Sequence, residues 1–318
     1  MATAFFVTGG MGFIGSRIVR YLNQHDQYNI VVCDHLTKSS KWENLEGLKF
    51  TDLVDVDDLG QALTSKTYEV IFHMGARSDT RETDLRLLYD LNFRTSKTIF
   101  EEAYRQHARL IYASSAATYG DGSSGWSDTL PPDALSPRNA YGFYKNLFDL
   151  WVSQQGHHLP QCVGVKFFNV YGPGEAHKGR MASAIYHFLK ELERGEPLKL
   201  FKSLRSDISD GFQRRDFIWI EDVLQVIDYL LHADSIVDGV VNAGSGVASA
   251  FLDVVCALES AMGQSVQVEF VDLPQEIAAG YQYFSQASHD RLRKSGLCFT
   301  SLESGVAAYH AGLKARRP

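Results

Sequence analysis

Tyr141 and Lys145 stand four residues apart in AYGFYK, and Ser115 lies upstream in YASSAATYG, at the end of a predicted strand. A phenol with an ordinary pKa of about 10 is a poor base near neutrality, and a neighbouring ammonium makes its phenolate more accessible. Residues i and i+4 share one face of a helix, so this spacing aims phenol and ammonium into one site, where the Ser115 hydroxyl can hydrogen-bond the same reacting oxygen. Such a set suits the interconversion of an alcohol and a ketone. That chemistry needs a hydride acceptor.

The N-terminal segment AFFVTGGMGFIGSRIV offers a place for one. It reads as a short apolar strand, a glycine turn at Gly9, Gly12 and Gly15, and a helix carrying Phe13, Ile14, Ile18 and Val19 inward. Glycines in that turn let the backbone approach a pyrophosphate, which then sits at the helix N-terminus. The next apolar strand, NIVVCDH, ends in Asp34, at roughly the 20-residue distance expected of a ribose contact. Strand before, helix after and acid beyond make dinucleotide binding the expectation, against an ordinary glycine-rich turn.

These groups need a scaffold that gathers strand ends. AFFVTG, NIVVCD, EVIFHMG, RLIYASS and CVGVKFF alternate with amphipathic stretches, which predicts parallel strands joined by crossover helices in a doubly wound α/β sheet of the Rossmann type. Ligands bind at the C-terminal strand ends of such sheets, and Gly9 to Gly15, Asp34, Gly75 and Ser115 all follow strands. Beyond Phe168 the rhythm loosens. MASAIYHFLKELERG predicts a helix ending at Gly195, LKLF a short strand, and SLRSDISDGFQRRD an exposed polar loop. RDFIWIEDVLQVIDYLLHAD predicts a strand and helix rejoining the large lobe. VVNAGSG, a helix over about 250–262 and VQVEFVDL are expected to complete a small α/β lobe. The predicted division is a dinucleotide-binding lobe over 1–167 plus about 216–240, and a discontinuous substrate lobe over about 168–215 plus 241–318.

A chain of 318 residues with 45% hydrophobic content is ample for a packed core, and its net charge of −7 argues against a nucleic-acid-binding surface. Cys33, Cys162, Cys256 and Cys298 are scattered, without C-x-x-C spacing, so neither disulfides nor a metal site are expected. The start MATAFFVTGG lacks the basic region of a signal peptide, and no apolar run approaches the roughly 18 residues that span a bilayer. No membrane association and a cytoplasmic location are the expectation.

Together TGGMGFIG, the serine of SSAATYG, YGFYK and FFNVYGP resemble the extended short-chain dehydrogenase/reductases that act on nucleotide sugars, in order and over nearly the whole chain. Within that superfamily the segment GPGEAHKGRMASAIYH from Gly172, the DHL at Asp34 and FHMGARS around Gly75 are similar to the ADP-L-glycero-D-manno-heptose 6-epimerases. The resemblance implies a catalytic Ser115, Tyr141 and Lys145, with Lys178 as a second acid/base. An epimerase removes a hydride from one face of a carbon and returns it to the other, so the alcohol oxygen occupies two places, and one base cannot easily serve both. Read plainly, Lys178 is a solvated lysine on a glycine-flanked loop. The positions of the acid–base pair that 4,6-dehydratases carry after the catalytic hydroxyl are Ala116 and Ala117 here, which speaks against dehydration.

For the cofactor the resemblance implies contacts from Gly9, Gly12, Phe13, Ile14, Gly15, Asp34, His35, Lys41, Met74, Gly75, Ala76, Ser78, Asn92, Lys145, Val170 and Lys178. It favours tightly bound NADP, with His35 and Lys41 taking the 2′-phosphate. Asp34 alone favours NAD, and a second lysine expected near position 56 is Val56. For an ADP-heptose substrate it implies Ser115, Asn169, Arg180, His187, Phe201, Arg215 and Tyr281, with Arg215 on the diphosphate. Arg180 replaces an expected serine, and His187 reads equally as a packed histidine. The additional residues between Phe201 and Arg215 disturb the match there. A homo-oligomer, with pentamers as the family form, and a place in lipopolysaccharide core synthesis are further implications. The rival enzyme reading is a UDP-hexose 4-epimerase, where one tyrosine suffices because the ketone turns over. From another class, a catalytically dead sensing protein on the same fold is the alternative.

Overall fold

A computed structural model describes residues 3–315 apart from 38, 157, 158, 234, 236 and 279. Short apolar runs and amphipathic helices alternate through the first half. They form β1 (Phe5–Thr8), α1 (Phe13–Gln24), β2 (Ile30–Asp34), β3 (Asp52–Asp55), α2 (Leu59–Ser65), β4 (Val70–His73), α3 (Leu85–Leu88), α4 (Thr95–Gln106), β5 (Arg109–Ser115), α5 (Ala140–Ser153) and β6 (Cys162–Phe167). A single turn of π-helix over Tyr89–Arg94 joins α3 to α4. The second half adds β7 (Asn169–Tyr171), α6 (Ala184–Glu193), β8 (Leu198–Phe201), β9 (Arg214–Trp219), α7 (Ile220–His232), β10 (Gly239–Ala243), β11 (Ala248–Ala250), α8 (Phe251–Met262), β12 (Val268–Val271), α9 (Gln275–Ala278) and α10 (Leu302–Ala315). Among the described residues no helix is long and apolar enough to cross a membrane.

Seven strands form one parallel sheet in the order β10-β6-β5-β4-β1-β2-β3. Side chains alternate across a strand, and here both faces are buried. Phe5 and Val7 of β1, Ile30 and Val32 of β2 and Ile111 of β5 pack with α1 and α7, while Phe6, Val31, Leu110 and Tyr112 pack on the opposite face with α2, α4 and α5. Chain order reverses between β1 and β4, and the crevice at such a reversal is where doubly wound sheets bind ligands.

A three-stranded sheet, β11-β9-β7, and a two-stranded one, β12-β8, belong to a second core built on Tyr171, Phe188, Leu200, Phe217, Leu258 and Tyr309. Two expectations need correcting. VVNA is β10, the edge of the large sheet beside β6, rather than part of the small lobe. Conversely, β9 pairs with β7 and β11 in the small sheet, and reaches the large core through Ile218 and the following helix α7. The segment TDLVD was not read as a strand because its side chains lie at an exposed sheet edge, which leaves no apolar run.

Asp216 of β9 is fully buried, and its carboxylate accepts from the backbone N–H groups of Ser245 (2.5 Å), Gly246 (2.9 Å) and Ala287 (2.8 Å) and from the Ser245 hydroxyl (2.8 Å). One side chain thus ties the chain after β10 and the segment beyond α9 to β9. Each buried donor left unpaired costs about 1–3 kcal/mol. Asp216→Ala is therefore expected to lower unfolding free energy by about 3 kcal/mol or more in urea titrations, and a loss under about 1 kcal/mol would show the tie to be dispensable.

Candidate active site

At the C-terminal ends of the large sheet lies a cleft of about 1380 Å³, lined from both lobes. Every residue expected on sequence grounds to meet cofactor or substrate lines it except Asn92. Asn92 sits in the π-helical turn, fully buried, its Oδ1 accepting from the Arg77 N–H (2.8 Å) and its Nδ2 donating to the Arg77 carbonyl (2.9 Å). It holds the loop after β4 from beneath, outside the lining of the cleft. Insertion of one residue into a helix re-aims a side chain in this way.

The glycine turn closes on that same loop. Gly9 adopts φ +63°, and a Cβ there would lie 2.7 Å from the Gly75 backbone, so the turn tolerates no side chain. Beneath it, Gly75 N–H donates to the Thr8 hydroxyl (3.1 Å), which meets His73 Nδ1 (2.8 Å), whose Nε2 meets the Ser96 hydroxyl (2.8 Å). Burial, with the Lys145 charge, holds His73 down at about 3, so it is a neutral strut. The first turn of α1 carries no acidic residue and no side-chain cap, which leaves its N–H groups and the positive end of its dipole for a phosphate. At the ribose end, Asp34 Oδ2 accepts from Met11 N–H (2.9 Å) while Oδ1 accepts from His35 N–H (2.8 Å) and the Lys41 ammonium (2.9 Å). Val56 lines the wall where a further lysine was expected. The tight turn, the open helix end and the acid at the second strand end fit a dinucleotide.

Beside it, Asn139 caps α5 by accepting from Gly142 N–H (2.7 Å), and a Cβ on Gly142 would stand 2.6 Å from the Ala117 carbonyl. This close approach brings Tyr141 to the end of β5, where the Ser115 hydroxyl accepts from Ala117 N–H (3.1 Å). Tyr141 is nearly buried. Its phenol is pushed above its ordinary value by burial, against a hydrogen bond with Ser115 that lowers it, and the Asp149 charge pushes it further. This corrects the expectation that the nearby ammonium alone brings the phenolate within reach. Lys145 donates to the Ala113 carbonyl (2.9 Å), and burial pulls it down to about 8 against the opposing pull of Asp149. Ala116 and Ala117 keep the wall beside Ser115 apolar.

Lys178 comes from a different element, the helical turn Ala176–Met181. Glu175 secures that turn: its carboxylate accepts from Gly172 N–H (3.1 Å) and from both the N–H (2.5 Å) and hydroxyl (2.8 Å) of Ser183. Asn44 Nδ2 joins it to the glycine turn by reaching the carbonyls of Met11 (3.0 Å) and Gly174 (3.1 Å) and His177 Nδ1 (3.2 Å). Half-buried, the Lys178 ammonium lies 5.6 Å over the Phe13 ring with no hydrogen bond or ion pair to any described residue. Burial lowers its pKa, partly offset by Glu175.

In the small lobe Arg215 is buried, its guanidinium 5.1 Å over the Tyr281 ring, and Tyr281 meets Phe201 edge-on at 6.2 Å. It donates to the Arg214 carbonyl (3.0 Å), no described carboxylate pairs with it, and burial pulls it down to about 10. A buried cation without a counter-ion facing a cleft suits an anionic ligand. His187 is half-buried on the cleft face of α6. Arg180 bonds Asp79 (2.8 Å) with its guanidinium otherwise in solvent, while Asn169 donates to the Asp216 carbonyl (2.9 Å). Glu175, Asn44 and His73 were missed: Asn44 and His73 act through partners remote in sequence, and Glu175 through close neighbours in a loop without periodicity; the only signal was that Glu175 and His73 lie within motif segments.

A family model described as the NAD dependent epimerase/dehydratase family matches residues 5–244. The ADP-L-glycero-D-manno-heptose-6-epimerase of Nitratidesulfovibrio vulgaris strain DP4 is 41% identical over 315 residues, covering 96% of each chain. That of Fusobacterium nucleatum is 38% identical over 318 residues, covering 95% of this chain and 96% of its own. Among solved structures, the Helicobacter pylori enzyme of the same name superposes with a TM-score of 0.83 at 28% identity, over 99% of this chain and 97% of its own. UDP-glucuronic acid 4-epimerase from Bacillus cereus, solved with NAD, has a TM-score of 0.81 at 22% identity, over 99% of this chain and 100% of its own, a likeness of fold.

Backbone strain of the kind a side chain at Gly9 imposes is worth about 1–3 kcal/mol, and about 1.4 kcal/mol is tenfold in affinity. Gly9→Ala is expected to weaken nicotinamide dinucleotide binding about tenfold or more by calorimetry, with far-ultraviolet dichroism unchanged; unaltered affinity would remove the turn from the binding site.

Proposed function

The chain belongs to the NAD dependent epimerase/dehydratase family, and we propose that it inverts carbon 6 of the heptose in ADP-D-glycero-D-manno-heptose to give ADP-L-glycero-D-manno-heptose. The observation that carries this reading is that Tyr141 and Lys178 line one cleft from separate elements, the Lys178 ammonium resting over the ring of Phe13, which lines the same cleft. When bound, the nicotinamide supplies a hydride acceptor that serves as donor for the return step. Tyr141, hydrogen-bonded with Ser115, takes the proton of the 6-hydroxyl as its carbon loses hydride, giving a transient 6-ketone. Lys145 tunes Tyr141 and meets the cofactor. After the ketone presents its other face, Lys178 supplies the proton to the oxygen in its second position. Its lowered pKa suits proton transfer near neutrality better than that of a solvated lysine. The apolar Ala116 and Ala117 leave elimination without an acid and base at that wall. Arg215 takes the diphosphate, with Asn169, His187, Phe201, Tyr281 and Arg180 along the remaining substrate wall.

NADP is the proposed cofactor. The Lys41 ammonium neutralises Asp34, which removes much of a carboxylate's repulsion toward a 2′-phosphate, and it stands beside His35 on the same cleft wall. The division into a cofactor lobe (1–167 with about 220–243, which takes in α7 and β10) and a substrate lobe, a cytoplasmic location, a homo-oligomeric and pentameric state and a role in lipopolysaccharide core synthesis are part of the same proposal.

Lys41→Ala removes the cation and leaves Asp34 uncompensated, so NADP affinity is expected to fall about tenfold or more while NAD affinity changes little, a charge-assisted hydrogen bond being worth about 1.5–3 kcal/mol. Calorimetry with both nucleotides decides it; equal losses would count against a 2′-phosphate contact.

Loss of a general acid or base typically costs about 10² to 10⁴ in rate, roughly 3–5 kcal/mol. Tyr141→Phe and Lys178→Met are each expected to suppress epimerisation of ADP-heptose by about that much. Offered each epimer separately in single-turnover hydride transfer, followed by reduced-nicotinamide absorbance, the two variants are expected to show opposite biases. A Lys178→Met protein that epimerises at the parent rate would return Lys178 to a solvated loop residue and favour a one-tyrosine UDP-hexose 4-epimerase.

A further inference from the structure

Behind the reacting side chains lies an ionic pair that the proposed chemistry does not use. Asp149 follows Lys145 by one turn of α5 and is fully buried; its Oδ2 accepts from the Ser114 hydroxyl (2.7 Å) and its Oδ1 from the Tyr112 phenol (3.1 Å). The Lys166 ammonium of β6 stands 3.3 Å from Asp149, 1% exposed, donates to the Thr118 hydroxyl (2.7 Å) and lies 4.7 Å over the Tyr119 ring. Two opposite charges in a dry interior contribute little net stability compared with a well-packed apolar pair, yet each is costly to leave alone. Their placement is more informative than their energy. Tyr141, Lys145 and Asp149 are spaced at successive turns of one helix, so the carboxylate acts on both titrating groups from the same side, and Lys166 offsets it.

We propose that the Asp149–Lys166 pair is a positioning device that fixes the charge states of Tyr141 and Lys145, so that the pH range of the reaction is set beneath the site. The inference rests on the proposed roles of Tyr141 and Lys145. Other groups brought against α5 are differently disposed. β4 brings His73, already neutral; β5 brings Tyr112 and the turn after it Tyr119, both held protonated by burial. The Pro132–Ala134 turn brings an exposed Asp133, and α3 with the π-helical turn brings Tyr89 and Arg86, Asp90 and Arg94, ion-paired with one another towards solvent. β6 also brings Cys162, held protonated by burial, α4 brings Lys97 over the Trp151 ring, and β10 brings no titratable side chain. Asp128 acts on Lys166, and Lys178 lies in the same cleft. The Asp149 carboxylate is the one whose charge raises both Tyr141 and Lys145.

A buried neighbouring charge moves a pKa by about 1–3 units. Removing the carboxylate with Asp149→Asn is expected to shift the acidic limb of the single-turnover pH profile, which the Tyr141 phenolate sets, down by about one unit or more. Lys166→Met leaves the carboxylate uncompensated and is expected to shift that limb up, and the double variant to return near the parent. The same titration is read without substrate in protein labelled with ¹³C at tyrosine Cζ, saturated with its nicotinamide nucleotide, the Tyr141 signal being assigned by Tyr141→Phe. The two single variants are expected to displace its midpoint in opposite directions. Lys166→Arg keeps the charge and is expected to titrate as the parent. Singles that lower the rate with unmoved midpoints, singles that shift the same way, or a Lys166→Arg protein displaced as far as Lys166→Met each overturn the proposal, leaving the pair a structural one. If the parent does not turn over ADP-heptose, the labelled-tyrosine titration still decides the matter, and the failure falls on the substrate assignment alone.

Discussion

The contact between the start of α5 and the turn after β5 admits no extra carbon: at Gly142 the helix backbone lies against the Ala117 carbonyl. Everything chemical in the large lobe is in register with that contact. Successive turns of α5 run back along β5, so that Tyr141 meets Ser115, Lys145 meets Ala113, and Asp149 meets Ser114 and Tyr112. A shift of the helix by one residue would rotate all three side chains away together, since helical neighbours turn by about 100° per residue. The glycine is thus a geometric requirement of the serine–tyrosine–lysine set rather than a bystander within it.

Cations around the cleft are held in distinct ways although the chain as a whole carries a charge of −7. Lys41 has a carboxylate partner, Lys145 has a carbonyl and a carboxylate behind it, and Lys178 and Arg215 rest over aromatic rings. Ring faces attract a cation without neutralising it, which leaves its charge available to an incoming anion. Phosphate-bearing ligands are drawn to such a lining, and its two ring-held cations come from separate segments that both line the cleft, so one long ligand can engage both.

Local signals were legible where chemistry and backbone coincide. The glycine turn, Asp34, Ser115 and the Tyr141–Lys145 spacing can be read because each lies beside its own strand or helix and is constrained by it. What could not be read depends on distant segments. β3 hides because an exposed edge strand has no apolar face to display, and VVNA reads as small-lobe sequence because its partner, β6, is some seventy residues earlier. Asn92 lies in a π-helical turn that sequence periodicity does not reveal, its amide bonded to the Arg77 backbone. The direction in which Tyr141 is perturbed also escaped the sequence argument, since spacing reveals a neighbouring charge but not the amount of water removed around it. Asn44, which fastens the Lys178 turn to the glycine turn, and Glu175, which closes the Lys178 turn on itself, show no periodicity that marks them.

The order of the large sheet has a consequence for how the molecule comes into being. Its outer strand, β10, and the helix α7, whose last turn meets Arg109 of β5 and Gln161 before β6, are made only after β7, α6, β8 and β9 have been laid down. Until then β6 has a bare edge, and part of one sheet face lacks its covering helix, a state prone to pairing with other chains. Long-range closures of this kind slow folding, because loop entropy is lost before the contacts that compensate it are made. Neither lobe is therefore an autonomous folding unit that could be shortened or exchanged by cutting the chain once.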